Sequence, residues 1–274
     1  MTDLETPVLF IHGLWLHHSS WQPWVNLFRE AGYAPVAPAW PQEPETVEAA
    51  RAHPALVANQ GLREVVEHFR AVAAALPTRP ILIGHSFGGL IVEKLLGEDV
   101  GVAGVAIDPA QIQGVLPLPL AELRAGLPAL GNPANLHRSV ALTAREFQFS
   151  FGNALSPRES DALYERWTIP SPARPLFEVA VANFNLHAES RVNTHNDRRG
   201  PLLLISGTAD HTAPDISTSA ALRLYRDSQA VTTLERFQGR GHSLVIDHGW
   251  REVAEAVLTW LDQQGLGTTA SEVA

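Results

Sequence analysis

The ten residues Ile81–Leu90, ILIGHSFGGL, constrain this chain more than any other stretch. An apolar β-rich run leads into Gly84-His85-Ser86-Phe87-Gly88, and a helical pattern follows at once. A serine on a sharp strand-to-helix turn has a strained backbone, and flanking glycines let the neighbouring chain pass without a Cβ clash. Such a turn lifts the serine Oγ clear of a sheet. It also aims the next amide, that of Phe87, at any oxyanion formed there, with a helix dipole behind it. Ser86 is therefore the candidate nucleophile and Phe87 N–H one candidate oxyanion donor. His85 reads as a structural or supporting residue, since neighbours on a tight turn rarely face each other.

The surrounding chain has the pattern such a turn needs. Short apolar runs alternate with longer helical ones, which favours a parallel sheet with helices on both faces. The runs are Pro7–Ile11, Tyr33–Ala37, Ile81–Gly84, Val102–Ile107, Leu202–Ser206 and Val231–Phe237. The first five are apolar throughout, as buried parallel strands are, and the mixed sixth suits an edge. Helical patterns fall at Ser20–Ala31, opened by Ser20 as a cap, and at Gly61–Leu76, Gly88–Leu96, Thr218–Arg226 and Trp250–Leu261. The expectation is an α/β core of about six mostly parallel strands, built from residues 1–110 and 197–274. Between them, residues 111–196 have no buried-strand pattern, dense proline at both ends and amphipathic stretches such as Pro157–Trp167. That segment reads as an inserted helical subdomain.

A serine nucleophile needs a base, and the base an orienting carboxylate. His242, in Gly239-Arg240-Gly241-His242-Ser243, lies on a glycine-flanked loop between the last strand and the last helix. That is the sheet edge toward which Ser86 projects. Two acids share that edge: Asp210, just past the fifth strand, and Asp108, ending the fourth in Ala106-Ile107-Asp108-Pro109. Asp210 is preferred because the order Ser86, Asp210, His242 suits a doubly wound sheet; Asp108 reads as a cap on the segment that opens the insertion. A second oxyanion amide falls after the first strand in His12-Gly13-Leu14-Trp15, with Leu14 preferred over Trp15 and His12 bracing the loop.

Composition excludes other classes. With no cysteine among 274 residues, thiol nucleophiles and thiolate metal sites are ruled out. The net charge of −9 argues against a nucleic-acid partner. No metal-ligand spacing and no phosphate-binding glycine loop is found, so no metal and no cofactor is expected. An acidic start and the absence of a long apolar run point to a soluble, cytoplasmic chain without membrane insertion.

Taken together, His12-Gly13, Gly84-His85-Ser86-Phe87-Gly88-Gly89, Gly207-Thr208-Ala209-Asp210 and Gly241-His242 resemble the α/β-hydrolase superfamily, in its esterase and lipase-like branch. The resemblance implies a catalytic triad of Ser86, Asp210 and His242, and a helical cap made from the insertion. The chain differs from longer members in starting almost directly with the first parallel strand, without an antiparallel hairpin before it. A serine at the turn, where dehalogenases and epoxide hydrolases carry a carboxylate, disfavours those branches. The expected substrate is a small to medium apolar ester or lactone. Trp15, Phe147, Phe151 and Trp167 are candidates to line its pocket, or else to fasten the insertion to the core. The Phe147-x-Phe149-x-Phe151 spacing suggests an extended segment. Two other readings use the same residues: a cofactor-free enzyme of different chemistry (perhydrolase, acyltransferase, C–C hydrolase or lyase), or a ligand receptor with slow turnover.

Overall fold

The computed structural model describes residues 5–268. The opening Met1–Leu4, read above against a signal peptide, lies outside them. Among the described residues eight strands are formed: β1 (Pro7–Ile11), β2 (Ala34–Val36), β3 (Ile81–His85), β4 (Ala103–Ile107), β5 (Ser139–Val140), β6 (Ser171–Pro172), β7 (Leu202–Gly207) and β8 (Thr232–Phe237). The helices flanking the sheet are α1 (Gln22–Glu30), α2 (Val47–Ala52), α3 (Leu62–Ala74), α4 (Phe87–Gly97), α9 (Asp215–Leu224) and α10 (Trp250–Gln263). Between β4 and β7 lie α5 (Leu120–Leu130), α6 (Ala144–Ser150), α7 (Pro157–Trp167) and α8 (Arg174–Ala180).

Six strands make one all-parallel sheet in the order β2-β1-β3-β4-β7-β8. The chain runs outward from β1 to β2, then returns to place β3 on the other side of β1. At that reversal the loops leaving β1 and β3 diverge and open a crevice at the carboxyl ends of the strands. Alternate residues serve opposite faces. Val8 and Phe10 of β1 pack with Trp24 and Phe28 of α1 and Val257 and Leu261 of α10, while Leu9 and Ile11 join Val65 and Phe69 of α3 and Leu90 and Ile91 of α4.

Three local expectations are corrected. The second strand is a short edge with Val36 exposed, not an inner strand. Ser20 sits buried in a 3-10 turn, His18–Trp21, whose cap is the His17 side chain accepting from Ser19 N; α1 starts only at Gln22. The Phe147–Phe151 stretch is helical, because Thr143 and Glu146 form a reciprocal capping box at its start. The rings of Phe147 and Phe151 then lie one turn apart and stack at 4.9 Å.

The β4–β7 segment has no separate core. Leu142, Phe147, Phe151 and Trp167 belong to the same buried cluster as β1, α3 and α4. It is stitched along the loop after β1: His17 N donates to Trp167 O, Ile169 N to Trp15 O, and Trp15 Nε1 to Val140 O, each at 3.0 Å. No helix among the described residues is long and apolar enough to cross a membrane.

One buried carboxyl, that of Glu93, lies on α4, away from the crevice. Glu93 Oε2 accepts from Tyr225 OH at 2.7 Å, and its Oε1 has no partner. Burial pushes its carboxyl up to about 7, despite Tyr225 and Arg199 nearby. A carboxyl raised on folding stabilises fully below its unfolded value and loses that contribution as pH rises through the folded value. Replacing Glu93 by Gln is therefore expected to raise the thermal unfolding midpoint at pH 8.5 by roughly 5 °C, and to do much less at pH 5. Unfolding followed by circular dichroism at the two pH values checks this.

Candidate active site

Ser86 sits at φ 57°, ψ −122°, between β3 and α4. Its N–H donates to Ile107 O at 2.9 Å, and its carbonyl accepts from Gly89, Leu90 and Ala110. The turn is tight enough that a Cβ on Gly88 would lie 2.0 Å from Ile11 O. Only glycine lets α4 start this close to β1. The amide of Phe87, at the first position of α4, has no hydrogen-bond partner among the described residues.

The loop after β1 meets this turn. A Cβ on Gly13 would lie 2.6 Å from Ser86 Cβ. The amide of Leu14 has no partner among the described residues, whereas that of Trp15 donates to Ser171 Oγ at 2.6 Å. Of the two amides weighed from the sequence, Leu14 is thus the one left available. Trp15 adopts φ 66°, a left-handed conformation that the stitched segment holds in place.

β7 and β8 bring the remaining groups. His242 Nδ1 donates to Asp210 Oδ2 at 2.6 Å, and both side chains are fully buried. Asp210 Oδ1 accepts from the amides of Thr212 and Ala213 at 2.6 and 3.0 Å. This leaves His242 Nε2 buried and without a partner. No hydrogen bond joins it to Ser86 Oγ in this structure. His85 is confined to a supporting contact: its Nε2 donates to His242 O at 2.9 Å, and the two rings lie 4.5 Å apart. Burial drives its pKa well below the usual imidazole range, so the ring is neutral.

Asp108 lies against the same group of side chains, but it does not cap the segment that opens the insertion. Its Oδ1 accepts from Gly207 N at 2.7 Å, fixing the end of β7 to β4. Burial raises its carboxyl far above the normal range, and the neighbouring Asp210 charge adds to this. Asp108 is therefore a neutral acid beside Asp210, while Asp210 is the partner that His242 reaches.

A cavity of about 460 Å³ opens at Ser86. Trp15 and Phe87 line its inner end, and Val115, Leu123, Leu176 and Val179 its walls. Leu116 and Phe184, strongly exposed, stand at its rim. Phe147, Phe151 and Trp167 do not line it. Phe147 and Phe151 are buried together, with Phe151 edge-on to His242 at 4.7 Å, and Trp167 fastens the β4–β7 segment to His17. Helical stacking turned these rings inward. The wall instead carries one carboxyl that the sequence did not single out, Glu122 of α5. It accepts from Ser217 Oγ at 3.1 Å, and burial pushes it up to about 7.

A second cluster was also missed. Glu43 gathers His12, His17 and His18 behind the loop after β1. Donor atoms of His17, His18 and Glu43 lie within 4.8 Å of one another, as in a metal site. Each is already committed to hydrogen bonds. His17 Nε2 donates to Pro44 O at 3.0 Å, its Nδ1 accepts from Ser19, and His18 Nδ1 donates to Glu43.

A profile of the alpha/beta hydrolase family matches residues 8–256. The chain belongs to that family. No curated protein sequence matches it at a significant level. Among solved structures it is similar to a monoacylglycerol lipase from Paleococcus ferrophilus, at 22% identity and a TM-score of 0.65, over 95% of this chain and 97% of that one. It is also similar to a methylesterase from Arabidopsis, at 15% identity and a TM-score of 0.65, over 94% and 99%. Tomato methylketone synthase I, solved with 2-tridecanone, shares 14% identity and a TM-score of 0.66, over 95% and 99%. At these identities the likeness concerns the fold common to the family.

The contact of Gly13 with Ser86 gives a direct test. Gly13→Ala is expected to slow labelling of the protein by a fluorophosphonate by about a hundredfold, since small misplacements at a reacting centre cost that much. Gel quantification of the label over time measures it.

Proposed function

We propose that this protein is a cytoplasmic serine hydrolase that cleaves small to medium apolar carboxylic esters or lactones through an acyl-enzyme on Ser86. The carrying observation is the buried, unpartnered Nε2 of His242, on a ring oriented by Asp210 at 2.6 Å, beside a serine on a strained turn. A buried polar atom without a partner is costly, and the Ser86 hydroxyl is the partner that the proposed reaction gives it. Hydrogen bonds of this kind tighten when substrate binds.

In the proposed reaction His242 Nε2 takes the Ser86 proton as Oγ attacks the ester carbonyl. The amides of Leu14 and Phe87 hold the oxyanion. Asp210 fixes the Nδ1–H tautomer and stabilises the imidazolium. The intermediate then breaks its C–O bond to the alcohol, which leaves with the proton from His242. Water repeats the sequence, releasing the acid and restoring Ser86. The largely apolar cavity under a cap of residues 111–196 supports an apolar substrate, and Glu122 is its one acid.

Turnover of p-nitrophenyl esters of increasing chain length, with product analysis in water, tests the reading. Ser86→Ala is expected to abolish both turnover and fluorophosphonate labelling. Asp210→Asn is expected to lower kcat on the order of 10⁴-fold, because the imidazole loses its oriented tautomer. Asp108→Asn, which mimics a carboxyl already neutral, is expected to keep most activity; the reverse result would reassign the acid. A burst that stalls after one equivalent would mark a slow-turnover receptor.

The cavity acid adds a pH dependence. Ionisation of Glu122 above about pH 7 makes the pocket less favourable for an apolar group. KM for a neutral ester is expected to rise between pH 6 and 8, and Glu122→Gln to flatten that rise.

A further inference from the structure

The loop that carries Leu14 is gripped from behind by a carboxylate with no part in the reaction just described. Glu43 lies between β2 and α2, and its side chain is only 2% exposed. Its Oε1 accepts from the amide of His18 at 3.0 Å and from His18 Nδ1 at 2.7 Å. Its Oε2 stands 3.0 Å from Nε2 of His12, without the geometry of a hydrogen bond. The same stretch is tied to the loop on either side: Trp40 Nε1 donates to His12 O, and His17 Nε2 to Pro44 O, both at 3.0 Å. Burial alone would push the Glu43 carboxyl up, but His12 and His18 facing it reverse this and hold it far below the usual carboxylate range. It is a fixed negative charge.

His12 passes this grip to the site. Its Nδ1 lies 2.9 Å from Gly13 O. A carbonyl only accepts, so Nδ1 carries the proton. Gly13 C=O and Leu14 N–H belong to one planar trans peptide, in which the two bonds point in opposite directions. Holding the oxygen to His12 therefore turns the Leu14 N–H away from His12. Gly13, which starts this peptide, lies against Ser86, and the Leu14 amide makes no other hydrogen bond among the described residues. With the peptide turned over, its carbonyl would face a developing negative charge where a donor is required.

We propose that Glu43, acting through His12, sets the orientation of the Gly13–Leu14 peptide and so the donor offered to the oxyanion at Ser86. The inference rests on the hydrolase reading above. Neither residue touches the substrate; both are positioning residues. The ring of His12 is fixed on one side by the Gly13 carbonyl and on the other by the Glu43 carboxylate 3.0 Å from Nε2, so the carboxylate sets where Nδ1 can donate. The Leu14 peptide is thus oriented.

The test compares kcat/KM for an ester and for the matching thionoester. Sulfur is larger than oxygen and a weaker acceptor, so a well-aimed pair of amides favours the oxygen substrate. The ratio does not depend on how much of the protein is folded, so simple destabilisation leaves it unchanged. Glu43→Gln is expected to lower the oxygen-to-sulfur ratio about tenfold, a fraction of what loss of a whole donor costs, mainly through kcat. Glu43→Asp, which keeps the charge, is expected to recover part of it. His12→Ala is expected to lower the ratio at least as far as Glu43→Gln, and it decides the matter if Glu43→Gln does not fold. A wild-type ratio in both Glu43→Gln and His12→Ala would overturn the proposal, leaving Glu43 a purely structural residue. A wild-type protein that cleaves neither substrate would instead sink the hydrolase reading.

Discussion

The left-handed backbone at Ser86 is the constraint on which the rest of the site depends. A residue in that region of φ and ψ costs about 1–3 kcal/mol and persists only where its surroundings over-determine it. Here they do. Ser86 N–H is tied to β4, its carbonyl gathers three amides, and α4 begins so close to β1 that only glycine fits at 88. The reversal of strand order between β1 and β3 leaves room for this turn beside the loop of Gly13 and Leu14. Topology and strain thus bring a serine and two unpartnered amides to one spot.

Electrostatics does the sorting. Two carboxyls, Asp108 and Asp210, lie together under His242, and both cannot cheaply be charged in a buried place. Asp108 has one amide and a buried oxygen without a partner, and its carboxyl is pushed up. Asp210 has two backbone amides and the imidazole. The difference in donors decides which acid serves the histidine. The same logic recurs at Glu43, where two histidines outweigh burial, and fails at Glu93, where Tyr225 and Arg199 do not.

Much of this was legible in the sequence because it depends on local pattern. Apolar runs placed all six strands of the sheet within a residue or so, and Gly84 to Gly89 marked the turn. The proximity of Asp210 and His242 followed from where their loops leave the sheet. What was not legible depended on contacts distant in sequence. Period-two phenylalanines looked extended, but a capping box upstream made Phe147–Phe151 a helix and turned the rings into the core. Glu43 stands among prolines with no apolar rhythm around it, and its burial comes from histidines on another loop. Glu122 sits in an amphipathic stretch whose lining face is fixed only by how α5 packs. The second strand looked buried by composition alone, yet its place at the sheet edge is a matter of strand order.

The stitching of residues 167–171 along Trp15–His17 makes the roof of the cavity asymmetric. On that flank the roof and the floor share backbone hydrogen bonds, so they move as one body, and lifting the roof there would drag Trp15 out of its left-handed turn. The opposite flank, with Leu116 and Phe184 standing in water, is held mainly by side chains such as Asn183 and Gln113. A guest can thus enter by parting leucines and a phenylalanine at the far edge, while the amides beside the serine stay where they are.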